Sequence, residues 1–195
     1  MRATKLLALA ALAVVLAFGA AAAQTRIADD FDLEGTLETC AGCHGEHGVP
    51  ISEDIPILWG QQFYYFYVQL KDFKSGLRAN EIMQPIASEF SKDQMKALAT
   101  YFAEKTWPDI PAAKDSDKAN RGQTQTGAGE CAQCHNRYLG DSRLPRLAGQ
   151  QEAYLLRAML EFKNKIRLNS AAKGSLMKSF EDTNLEELAH FLATL

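Results

Sequence analysis

Apolar side chains fall at Phe66, Leu70, Phe73 and Leu77. Steps of four, three and four mark one stripe of an amphipathic helix. The stripe recurs at an offset of 89 as Leu155, Met159, Phe162 and Ile166. A second stripe, Met95, Leu98, Ala99 and Phe102, follows Ser91, which with Gln94 spells a helix-opening capping box. Its repeat is Leu185, Leu188, Ala189 and Leu192, with Thr183 and Glu186 as the matching box. No stretch alternates convincingly at period two, so no sheet is expected and the fold class is all-α.

The repeat extends beyond the stripes. Pro56, Leu58, Gly60-Gln61-Gln62, Tyr65, Phe73, Lys74 and Arg78 match Pro145, Leu147, Gly149-Gln150-Gln151, Tyr154, Phe162, Lys163 and Arg167. A Pro-containing, polar segment around 108–118 separates the halves. The N-terminus is different again. Arg2 and Lys5 precede an almost wholly apolar run, Leu6 to Phe18, which ends in the small residues Ala21-Ala22-Ala23. That pattern reads as a secretory signal peptide over 1–23, cut before Gln24. An uncleaved anchor is the weaker alternative, because the run is short for a bilayer. The expected organisation is therefore 1–23 signal, 24–108 first domain, 109–118 linker and 119–195 second domain. Units of this size are small for a self-sufficient apolar core.

Charge narrows the partners. The chain has 21 Lys+Arg and 24 Asp+Glu; without the leader 19 basic residues remain, a net charge of −5. With no basic run, nucleic acid is an unsuitable partner, and a basic patch on a protein is a suitable one. After leader removal no transmembrane segment is expected.

All four cysteines lie in two short runs, Cys40-Ala41-Gly42-Cys43-His44 and Cys131-Ala132-Gln133-Cys134-His135. C-x-x-C-H is the attachment signature of c-type haem. Two thiols one helical turn apart add to the two vinyl groups of one porphyrin, and the next imidazole becomes the proximal iron ligand. Three other readings fit less well. Two disulfides would leave both histidines unexplained. A zinc site does not require a histidine directly after each pair. A thioredoxin-like pair wants a βαβ context, which is absent. The expectation is thus two covalent haem c groups on Cys40, Cys43, Cys131 and Cys134, with His44 and His135 on the irons. Each haem supplies the apolar bulk its small domain lacks.

The opposite face of each iron decides between carrier and enzyme. Each half offers a methionine in the loop before its terminal helix, Met83 and Met177, and a thioether opposite histidine raises the potential. The spacing is irregular: on the 89-residue offset, Met177 has five extra residues before it and, on the terminal helix, four fewer after it. Met95 and Met159 sit on apolar stripes and read as core. His47 reads as polar surface and His190 as exposed or rim. Arg78 and Arg167 suit haem propionates, with a solvated surface role as the alternative.

On these residues the chain resembles a dihaem class I cytochrome c, and most the cytochrome c4 family. The paired C-x-x-C-H motifs, the P-x-L-x-G-Q turns at 56–61 and 145–150, and a methionine before a capped terminal helix carry the resemblance over residues 30–195. It implies two tandem haem domains packed face to face, with iron ligation by His44 and Met83 and by His135 and Met177. It also implies a periplasmic electron carrier in a respiratory chain, without enzymatic activity, working with redox proteins such as a terminal oxidase or a dehydrogenase. Peripheral membrane association is compatible with it. The alternatives are a dedicated cytochrome subunit of a periplasmic dehydrogenase, such as a flavoprotein sulfide dehydrogenase, and a dihaem enzyme. A peroxidase needs an open iron, and a cysteine-ligated thiosulfate enzyme needs a spare cysteine.

Overall fold

The computed structural model describes residues 31–112 and 115–195. The signal segment 1–23 lies outside the described residues. Among these, nine helices and no strand occur, and the single β-bridge pairs Arg78 with Arg167.

In the first half, α1 (Leu33–His44) starts where the Asp32 carboxylate accepts from the Gly35 amide at 2.9 Å. It ends at Gly45, whose positive φ no side chain tolerates easily. Next come α2 (Phe63–Ser75), α3 (Met83–Ser88) and α4 (Lys92–Ala103). Phe66, Leu70 and Phe73 of α2 meet Met95, Leu98 and Phe102 of α4 in one core. The Phe66 and Phe102 rings stack at 5.0 Å. Leu77 of the expected stripe is exposed instead, because Gly76 in the left-handed region has already ended the helix. The box at Ser91 forms as expected: Gln94 N donates to Ser91 Oγ at 3.3 Å, and Ser91 N to Gln94 Oε1 at 2.8 Å.

The second half repeats this order with α5 (Ser116–Ala128), α6 (Cys131–Cys134), α7 (Glu152–Lys163), α8 (Ala171–Lys178) and α9 (Asp182–Ala193). α5 and α6 are separated at Glu130, which adopts a left-handed conformation. α5 packs on α9 so closely that Gly122 would place a Cβ against the Glu187 carbonyl. Ile166 is exposed beyond the end of α7, as Leu77 is beyond α2. The expected box at Thr183 and Glu186 is corrected: α9 opens two residues earlier, at Glu181, whose amide donates to Asn184 Oδ1 at 3.3 Å. Glu181 stands 90 residues after Ser91, as buried Leu185 does after buried Met95, so packing of the stripe sets the helix start.

Residues 31–195 form one compact unit. Its halves are tied by bonds that the 89-residue offset exchanges. Gln61 accepts from Arg146 N at 2.8 Å and donates to Arg146 O at 3.2 Å. Gln150 accepts from Ile57 N at 2.9 Å and donates to Ile57 O at 3.1 Å. Tyr65 N reaches Ser142 O, and Tyr154 N reaches Glu53 O, each at 3.1 Å. This reciprocity makes the halves pseudo-two-fold partners, as in an isologous dimer.

Candidate metal centres

α1 delivers Cys40, Cys43 and His44 from its last turn to one place, and α6 delivers Cys131 and Cys134 with His135 at its end. Among the described residues the cysteines form no disulfide. The two histidines are posed alike. His44 Nδ1 donates to the Pro56 carbonyl at 2.9 Å, and His135 Nδ1 to the Pro145 carbonyl at 3.0 Å. That bond fixes the ring and leaves Nε2 with its lone pair, the arrangement a metal-binding imidazole needs. Burial lowers the pKa of both rings and outweighs the carbonyl's opposing effect, so the neutral, ligating form is favoured.

His135, Cys131 and Cys134 line a cavity of about 410 Å³ whose wall is mostly apolar. His44 lines two adjoining cavities of about 160 and 100 Å³, the larger also reaching Cys40 and Cys43, and Met83 lines both. Packed interiors hold few voids larger than a water molecule. Cavities of this size, with paired thiols and an imidazole on the wall, fit a large flat apolar group carrying a metal.

A cationic cluster lies between these cavities. Arg78 and Arg167 are buried, which corrects the solvated alternative. Arg78 donates to Gln69 Oε1 at 3.1 Å and to Tyr154 Oη at 3.0 Å. Arg167 donates to the same Gln69 oxygen at 2.6 Å and to Tyr65 Oη at 3.2 Å. Burial would raise the Tyr65 pKa, but Arg167 and Arg78 hold it below the usual phenol value. Neither arginine forms an ion pair among the described residues. Two buried guanidiniums without carboxylates fit the propionates of a haem.

The distal candidates are not on loops, a second correction. Met83 opens α3, where Asn80 Oδ1 accepts from its amide, and Met177 lies in the last turn of α8, which Ser170 caps. Met83 is half-buried against the first core. Met177 is buried among Phe162, Phe180 and Leu185, and also touches the second cavity. So does Lys173, one turn earlier on α8. Burial first, then the Arg167 charge, lowers the Lys173 pKa to about 8. Met95 is core as expected, and Met159 is half-buried beside the second core. His190 is corrected: it is 3% exposed, with Nδ1 2.7 Å from Glu152 Oε2 and Nε2 against the Asp115 backbone, and it fastens α9 to α7 and to the start of α5. Pattern reasoning missed it because it lies outside the apolar stripe. Gln69 and Lys173 were also missed, since neither matches an identical residue in the other half.

Two attachment runs, each beside its own cavity in an all-helical tandem repeat, define a dihaem c-type cytochrome. No family model matches the chain. Cytochrome c4 of Thiocapsa roseopersicina is 33% identical over 141 residues, covering 67% of this chain and 72% of its own. The thiosulfate dehydrogenase electron acceptor of Stutzerimonas stutzeri is 31% identical over 170 residues, 80% of this chain and 78% of its own. The structure of Acidithiobacillus ferrooxidans cytochrome c4 aligns with a TM-score of 0.73 and 28% identity, over 81% of this chain and 99% of its own. The chain belongs to the cytochrome c4 family. It is an electron-transfer protein with two covalently bound haem c groups. No described helix is long and apolar enough to cross a membrane.

Proposed function

We propose that this protein is a periplasmic carrier that takes single electrons from a dehydrogenase and passes them towards a terminal oxidase, without catalysing a reaction of its own. In this reading residues 24–108 and 119–195 are the two haem units. Cys40 and Cys43 tether one haem and Cys131 and Cys134 the other. His44 and His135 are the proximal ligands, each held by its proline carbonyl. Met83 closes the first iron, and a donor from α8 closes the second. With both faces of each iron occupied, the metals supply electron storage, and the chain supplies burial, orientation and charge compensation. Arg78 and Arg167 offset propionate charge between the two sites.

The observation that carries the reading is the pairing of both cavities around one buried cationic cluster within a single unit. An electron can then pass between the haems without leaving the protein. The electron-acceptor role of the Stutzerimonas stutzeri relative supports a dehydrogenase as donor, and a dedicated dehydrogenase subunit is the second reading. The reduced protein should surrender its electrons to a protein oxidant in stoichiometric amount, and should turn over neither thiosulfate nor peroxide. Sustained turnover of either would overturn the carrier reading. A flavoprotein chain co-purifying in equal amount would establish the subunit reading instead.

A further inference from the structure

The two attachment runs stand 91 residues apart, the halves then run at an offset of 89 from Pro56 and Pro145 through α2 and α7, and at 90 from the next helix onward. Four pairs fix the change. Asn80 Oδ1 accepts from Met83 N at 2.8 Å, and Ser170 Oγ accepts from Lys173 N at 3.3 Å, so each segment opens with a side chain three residues back. Ala87 and Met177 are both buried. Lys74 donates to the Phe90 carbonyl at 2.8 Å, and Lys163 to the Phe180 carbonyl at 2.6 Å. Met95 and Leu185 are both buried on the terminal helices. In this register the counterpart of Met83 is Lys173, and the counterpart of Met177 is Ala87, a core position.

We propose that Lys173 Nζ, rather than the Met177 sulfur, is the distal ligand of the second haem iron in the oxidised protein. The proposal rests on the reading that His135 holds a covalent haem. Lys173 lines the His135 cavity, and Met83, its counterpart at the 90-residue offset, lines the His44 cavity. Its ammonium makes no ion pair among the described residues, and its nearest recorded partner is the Phe162 ring, 5.6 Å from Nζ. A half-buried, unpaired lysine on the wall of the His135 cavity is placed to supply a donor there. On coordination the ammonium gives one proton to solvent, its nitrogen lone pair forms the Fe–N bond, and a water leaves the ferric iron. An amine favours ferric iron more than a thioether does, so the second haem becomes the lower-potential site. Met177 then fills core volume, which a side chain as adaptable as methionine does well.

The test uses the full holoprotein, oxidised, with far-red absorbance, near-infrared magnetic circular dichroism and haem content read together. The wild type should show the sulfur-to-iron band of one haem and a nitrogen–nitrogen signature from the other. Lys173→Met should about double the sulfur band, since one thioether ligand becomes two. Lys173→Ala should leave that band unchanged and admit cyanide at one haem per chain. Met177→Leu should change neither. The proposal is overturned if the wild type shows two sulfur-ligated haems, or if Met177→Leu about halves the band while the Lys173 variants leave it unchanged. A wild-type chain holding fewer than two thioether-bound haems overturns the underlying reading, and the proposal with it; the pyridine haemochrome assay separates that failure from the others.

Discussion

Gln69 shows how one side chain can join two halves. Its carbonyl oxygen accepts from Arg78, Arg167 and Asn169. Gln69→Leu removes that acceptor and leaves two buried charges short of a partner, a loss of about 2–3 kcal/mol by the usual cost of hydrogen bonds to charged groups. Denaturant unfolding of the holoprotein should show it; an unchanged midpoint would mean that other groups carry the arginines. Glu152 gives a pH dependence. Burial raises its pKa, but hydrogen bonds from Lys118 and His190 more than offset this and hold it below 4.5. A depressed carboxyl contributes fully above its unfolded pKa and loses that contribution as pH falls through the folded value. Wild-type stability should therefore fall more steeply than that of Glu152→Gln as pH drops below about 4.5; parallel curves would refute it. At this scale the sequence spoke through repetition. Cys40, Cys43, His44 and their repeats were legible because the chemistry dictates their spacing. Gln69 and His190 were not, because their partners come from the other half or from distant helices; Lys173 was not, because its match to Met83 shows only at the 90-residue offset.

At the scale of elements, the apolar stripes predicted α2, α4, α7 and α9, since burying one face is what stabilises such helices. The ends were less legible. Leu77 and Ile166 continue the periodicity but lie past turns with positive φ at Gly76 and Lys165. The second capping box was misplaced because Glu181 and Asn184 take the roles of Ser91 and Gln94 with different side chains. The α5–α9 contact is the most sensitive joint. A Cβ on Gly122 would sit 2.0 Å from the Glu187 carbonyl oxygen, whereas one on Gly127 meets nothing within 4 Å. Gly122→Ala should cost about 1–3 kcal/mol through overpacking. Gly127→Ala, in the same helix, should add about 0.5–1 kcal/mol. Thermal unfolding of the two variants checks this; equal shifts would mean that helix propensity, not close approach, governs both.

For the whole molecule, the tandem repeat announced two similar units, and the structure shows how they recognise each other. Gln61 and Gln150 each reach across to the backbone of the other half, and Arg78 and Arg167 meet between the cavities. Repetition in the sequence could not show this, because identical residues in two halves can serve either the inside of each unit or the seam between them. With Met83 and Lys173 as the proposed distal donors, the halves would be alike in frame and unlike in potential. Coulometric titration of the native protein tests this most directly. The account predicts two electrons per chain, taken up in two separate one-electron steps, with the lower step moving towards the upper in Lys173→Met. Uptake of a single electron per chain, or of two at one indistinguishable potential, would contradict it.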